Sequence, residues 1–171
     1  MNTELTDLIL TNLVKSPDFL QKTIPFLKAE YFKKSHKIIY ELIDRYVNDY
    51  SAGPTTNALF VELDKLEGVP QQLVDEAKTI IERIDNSTLE ENQSWLLDQT
   101  EEFCQDQAIY QALLTSINIT EGNTKEAKGM SKGAIPKLFQ DALSVSFDTN
   151  IGHNFFQDAG LRYDKYHTKS E

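Results

Sequence analysis

The chain has a single cysteine, Cys104, in 171 residues. An intramolecular disulfide is therefore impossible, and the reducing cytosol is the default compartment, the host-cell cytoplasm if the protein is viral. Glycine and proline are scarce too, at seven and five. With apolar residues at helical spacing nearly throughout, that scarcity of turn formers predicts an all-α fold. No apolar run approaches the ~18 residues needed to cross a bilayer, so no membrane association is expected. Met1 to Asp7 is polar and acidic, so no signal peptide is expected either. Positive charge is the next shortage: seventeen basic against twenty-seven acidic residues leave a net charge of −10. Phosphate backbones are gripped mainly by Lys and Arg, so no direct DNA binding is expected of this chain.

Chemistry-bearing motifs are also missing. There is no G-x-x-x-x-G-K-S/T phosphate loop, G-x-G-x-x-G, H-E-x-x-H or C-x-x-C. The run Lys128 to Gly133 has glycines and lysines without phosphate-loop spacing and reads as a loop. His36, His153 and His167 lie far apart and make no i, i+4 metal pair. Cys104 reads as a buried small hydrophobe rather than a nucleophile. Glu101, Glu102 and Asp106 read as a solvated helix face. No catalytic residue, no metal ligand and no cofactor site is expected in this chain.

What the sequence does have is a long helix signal from Glu90 to Ile119, free of Gly and Pro and rich in Gln, Glu, Leu and Ala. Leu96, Phe103, Tyr110 and Ile117 recur every seven residues, and Trp95, Cys104, Leu113 and Leu114 widen the stripe. Such a stripe calls for a partner helix. Gln99, Thr100, Asp106 and Gln107 fill the other heptad core positions poorly, which favours ordinary hairpin packing, with self-association built on the hairpin, over a regular coiled coil. The rod would be roughly 40–45 Å long, so part of it is expected to project from the body.

Shorter helices precede it. Glu4 to Lys15 is the first, with Leu5, Leu8, Ile9, Leu13 and Val14 inward. Ser16-Pro17-Asp18 restarts a helix, with Ser16 as N-cap and Pro17 at the first position. Ser35 is expected to cap a helix to about Tyr50, and Thr55 or Thr56 the next. Breaks at Ala52-Gly53-Pro54 and Gly68-Val69-Pro70 frame these, and the pattern resumes from Leu73 to about Asp85. Ser87 with Glu90, or Thr88 with Glu91, has capping-box spacing for the long helix. Thr120 to Gly133 reads as an exposed loop. Ala134 to Asp148 is helical again, offering Leu138, Phe139, Leu143 and Phe147 to the long helix as the second arm of a hairpin. A last helix, about Asn154 to Tyr166, carries Phe155, Phe156, Ala159, Tyr163 and Tyr166. It either folds back on its own domain or docks on a neighbouring subunit or a further domain.

Two groups of residues carry a family resemblance. Glu30-Tyr31-Phe32, then His36, Ile39, Ile43 and Tyr46, then Gly53-Pro54-Thr55 with Ala58, Leu59 and Leu63, resembles the amino-terminal domain of DnaB-family replicative helicases. Gly133-Ala134-Ile135-Pro136, Ala142 to Asp148, and Ile151-Gly152-His153 are similar to the segment before the ATPase domain in replicative helicases of large tailed phages. Trp95-Leu96 followed by Thr100-Glu101 fits the first hairpin helix of that group.

The resemblance implies a helical head over 1–86, a helical hairpin over 87–148 and a linker-helix region over 149–171. It implies that hairpins of two subunits pair within a hexameric collar through Leu96, Phe103, Tyr110, Leu114, Ile117, Leu138, Phe139, Leu143 and Phe147. The linker helix would dock on the adjacent subunit's ATPase domain through Phe155, Phe156, Ala159, Tyr163 and Tyr166. DNA primase is the expected partner of the collar, with a helicase loader as a further one. The RecA-like motor that uses ATP and Mg²⁺ has no counterpart here, so the chain is expected to be a non-catalytic fragment or a naturally shortened homologue. A stand-alone helical adaptor or loader that binds a helicase is the alternative. A small all-α enzyme with a dispersed site is a third reading, for which the residues offer no cluster.

Overall fold

Local chemistry explains where the helices start. In the computed structural model, which describes residues 3–122 and 131–147, Ser16 accepts a hydrogen bond from the Phe19 N–H at 3.2 Å, with Pro17 as the first helical residue. Thr55 does the same for Ala58 at 3.0 Å. Each side chain satisfies a donor the helix leaves open. The described residues form seven helices and no strand: α1 (Thr3–Lys15), α2 (Pro17–Thr23), α3 (Lys34–Tyr50), α4 (Thr56–Asp64), α5 (Gln71–Asn86), α6 (Gln93–Glu121) and α7 (Ile135–Leu143). Single 3₁₀ turns occupy Ile24–Phe26, Ala29–Tyr31 and Lys132–Ala134. The fold is all-α, as the sequence predicts.

Several boundaries differ from expectation. The helix after the first 3₁₀ turns begins at Lys34, so Ser35 lies inside its first turn, buried, and does not cap it. The long helix begins at Gln93, where Asn92 Oδ1 accepts from the Trp95 N–H at 3.0 Å. Ser87 instead closes α5, its N–H bonding Ile84 and its hydroxyl the Arg83 carbonyl, while Thr88 donates to Glu90. Two hydroxyl side chains that had capping-box spacing are thus engaged behind the start of α6. Helix α7 stops at Leu143 rather than Asp148, because Ser144 turns its N–H and hydroxyl back onto α7 carbonyls.

The chain divides into two compact units, Met1–Gln107 and Ala108–Glu171. In the first, α5 packs on α1, α3 and α4, and α1 on α2 and α3. Ile9, Leu10, Phe19, Ile39, Ile43 and Ile81 are fully buried. Each contributes about 1.5–3 kcal/mol relative to an exposed side chain. The sequence pattern did not pick out Leu10, Phe19 or Tyr40. Buried hydroxyl and amide groups do not spoil the core, because they bond carbonyls one turn back: Thr11 to Asp7, Asn12 to Leu8, Thr23 to Phe19 and Thr100 to Leu96. Gly53 lies close to α2: a Cβ there would meet Leu20 Cδ2 at 3.0 Å, so the Leu20 side chain would have to give way by a few tenths of an ångström.

The first unit also takes in the first half of α6, beyond the head boundary expected at residue 86. The cause is aromatic packing. Phe103 sits 5.5 Å from Phe32 and 6.5 Å, edge-on, from Tyr31, while Phe32 stacks on Tyr40 at 4.9 Å. Leu96, Thr100 and Cys104 are completely buried beside it. In the second unit the described parts are the second half of α6, the turn at Lys132–Ala134 and α7, with Ala112, Ser116, Ile119, Ala142 and Phe147 buried.

Candidate functional site

The head's most polar constellation is structural. Asp7 on α1 receives His36 Nε2 of α3 at 2.7 Å on one carboxylate oxygen. On the other it receives Arg83 of α5, with Nη2 at 2.8 Å and Nε at 3.2 Å. Burial pushes the Asp7 carboxyl up, but the hydrogen bonds and charges of His36 and Arg83 outweigh it, and the net shift is downward. One carboxylate thus ties three helices together. His36, a surface or structural histidine by its sequence context, is the structural kind.

The buried thiol of Cys104 is pushed up to about 12 by burial and then by Glu101, which keeps it protonated at neutral pH and unreactive. Burial likewise pushes the Tyr31 hydroxyl up to about 12, and Tyr40, which donates to the Leu27 carbonyl at 3.1 Å, also upward. Among the described residues no group of three or more His, Cys, Asp or Glu is placed to hold a metal.

The second half of α6 is different. Tyr110, Leu113, Leu114 and Ile117 are 45, 47, 38 and 44% exposed. Their spacing of i, i+3, i+4 and i+7 sets them on one side of the helix. Ala112, Ser116 and Ile119 lie on the opposite side and are buried. This half-helix is therefore apolar on two sides, and the side facing solvent carries four large residues. An apolar row of this kind marks a surface suited to another apolar surface.

No protein-family model matches the chain. Over 97% of its length, however, it is 31% identical to a DnaB-like replicative helicase of Enterobacteria phage T4. Nearly the whole chain is thus similar to part of a DnaB-like replicative helicase. It spans 36% of the length of that phage helicase. The relationship therefore runs through both compact units.

With that relationship in place, the resemblance residues acquire physical roles. Tyr31 and Phe32 form the aromatic cluster that receives Phe103, His36 holds Asp7, and Gly53 lets the loop after α3 approach α2. They build the head; none of them is arranged for chemistry. The residues expected at the hairpin interface divide. Leu96 and Phe103 are buried within the first unit; Tyr110, Leu114 and Ile117 are exposed on α6. Leu138 and Phe139 are half-buried, Leu143 is 67% exposed and Phe147 is buried. The linker-helix residues Phe155, Phe156, Ala159, Tyr163 and Tyr166 lie outside the described residues. Leu113, three residues from Tyr110, belongs to the exposed row, and its helical spacing was the signal for it. The Asp7–Arg83 pair had no sequence signal, because its members are 76 residues apart.

Proposed function

We propose that this chain is the oligomerising, non-motor part of a DnaB-like replicative DNA helicase. Identical faces on the second half of α6 meet between copies and build a collar, with α7 as the other arm of a helical hairpin. The observation that carries this reading is the exposed row Tyr110, Leu113, Leu114 and Ile117 on a helix whose first half is anchored in the head. A two-fold contact of this kind is self-complementary and needs only one surface type. The relationship to a replicative helicase supplies the context.

The collar then offers a platform to primase, and the residues Phe155 to Tyr166 would dock on the motor of a neighbouring subunit. ATP and Mg²⁺ chemistry belongs to that motor. The chain itself carries no phosphate loop, so ATP added to it should give no turnover.

Light scattering tests the oligomerising role. The mass of the parent chain should rise with concentration, and Leu113→Glu/Ile117→Glu should hold it at one chain with an unchanged helical circular-dichroism spectrum. Equal masses for parent and variant over a wide concentration range would refute the reading.

A further inference from the structure

The head carries a second surface that self-association leaves unused. A cleft of about 600 Å³ opens between α1, α5 and the connection into α6. Leu8, Ile80 and Ile84 give it apolar lining, and Glu4, Glu90 and Glu91 line it with negative charge. Arg83 is the one cation among the lining residues, and it is committed to Asp7 through two hydrogen bonds. Among the described residues, Glu4, Glu90 and Glu91 form no ion pair; Glu90 accepts only the Thr88 hydroxyl, at 2.9 Å. Lys15, whose ammonium donates to the Asp85 and Ser87 carbonyls, stands beside this lining and offsets part of its charge, and the cleft keeps a net negative charge.

A separate observation concerns the same connection. Leu89, between two lining residues, is 43% exposed, and Trp95, in the first turn of α6, is 46% exposed. Tryptophan held at the surface is the side chain most enriched at interaction hot spots. Carboxylates that form no ion pair repel phosphate, which excludes nucleic acid as the occupant.

We propose that this cleft binds a basic, amphipathic segment of a partner protein. Its Lys or Arg side chains would meet Glu4, Glu90 and Glu91, and its apolar side chains would cover Leu89 and Trp95. Charge complementarity sets the sign of the partner, and the exposed Leu and Trp supply the desolvated contact that holds it. The surface lies wholly within the head, so the proposal stands apart from self-association through α6.

Trp95 is the only tryptophan in the chain, so its emission reports on a partner that extends from the cleft to cover the first turn of α6. The probe is a short lysine–leucine peptide titrated into the whole chain, with a glutamate–leucine peptide of equal length as counter-probe. The basic peptide should shift Trp95 emission saturably, and the acidic one should not. Glu90→Lys/Glu91→Lys should weaken binding about tenfold, and Glu4→Gln should weaken it to a smaller degree. Asp75→Lys/Glu76→Lys, the same charge change at exposed positions of α5 outside the cleft, should leave the Kd within about twofold. Equal weakening by both double variants, an unmoved Trp95 signal, or equally tight binding of the acidic peptide would overturn the proposal.

Discussion

The two halves of α6 share one pattern and have opposite surroundings. Leu96 and Phe103 in the first half are buried, at 0 and 7% exposure; Ile117, on the same seven-residue stripe, is 44% exposed. An α-helix drifts only about 20° per heptad, so these positions lie along nearly the same side. The difference comes from what the rest of the chain brings to each half. The turn at Ala29–Tyr31 delivers Tyr31 and Phe32 to Phe103. Nothing among the described residues covers Leu113 or Ile117 to that degree. A period in a sequence reports that a side of a helix is apolar, and the fold decides whether that side becomes core or interface.

The largest expected effect tests this contrast directly. Phe103→Ala should destabilise the head by about 3–5 kcal/mol, because it empties an aromatic cluster. Ile117→Ala, the same kind of truncation two heptads on, should cost within about 0.5 kcal/mol in dilute monomer. Denaturant titration of both variants measures the pair, and similar losses would erase the distinction between the halves.

Next in size is the start of the helix. Asn92→Ala should cost about 1 kcal/mol by removing the acceptor for the Trp95 N–H. Thr88→Ala, at the alternative cap position, should stay within about 0.5 kcal/mol. If Thr88→Ala proves the costlier in thermal melts, the helix begins earlier than Asn92.

The smallest effect separates the head from the exposed row by pH. The Asp7 carboxyl lies below its ordinary value of 3.8 in the folded chain. Its contribution is therefore complete above about pH 4 and disappears as the pH falls through the folded value. The group is partly solvated, so about 1 kcal/mol or less is at stake. The stability difference between parent and Asp7→Asn should shrink when urea midpoints at pH 7 are compared with those near pH 3. A difference that stays constant with pH would mean that the ion pairs with His36 and Arg83 do not support the fold.

Much of the molecule was legible in advance. The all-α class followed from helical periodicity and scarce turn residues. The cap at Ser16 followed from residue type beside Pro17 and holds; after the next break the sequence offered Thr55 or Thr56, and Thr55 is the cap. The cap of α6 was misread because Ser87 and Thr88 have the right spacing from an acid, while their hydroxyls bond to Arg83 and Glu90 instead. Spacing identifies a side chain that could cap; a hydroxyl bonds the partner that the chain path brings nearest. Pairings over long sequence separations, such as Asp7 with Arg83, leave no local trace at all. The same holds for the cleft beside them, whose walls come from α1, α5 and the connection between α5 and α6.

The sequence by itself determined the helical class, most of the inward faces, the absence of familiar catalytic and metal motifs, and the resemblance to the DnaB-like helicases. Those properties rest on local geometry and residue chemistry, which a few neighbouring residues specify. Only the tertiary structure decided that Phe103 is core while Leu113 and Ile117 face solvent, that His36 and Arg83 share one carboxylate, and that three glutamates line one cleft without forming an ion pair among the described residues. Such properties depend on which distant elements arrive at a position, and burial is settled by those arrivals.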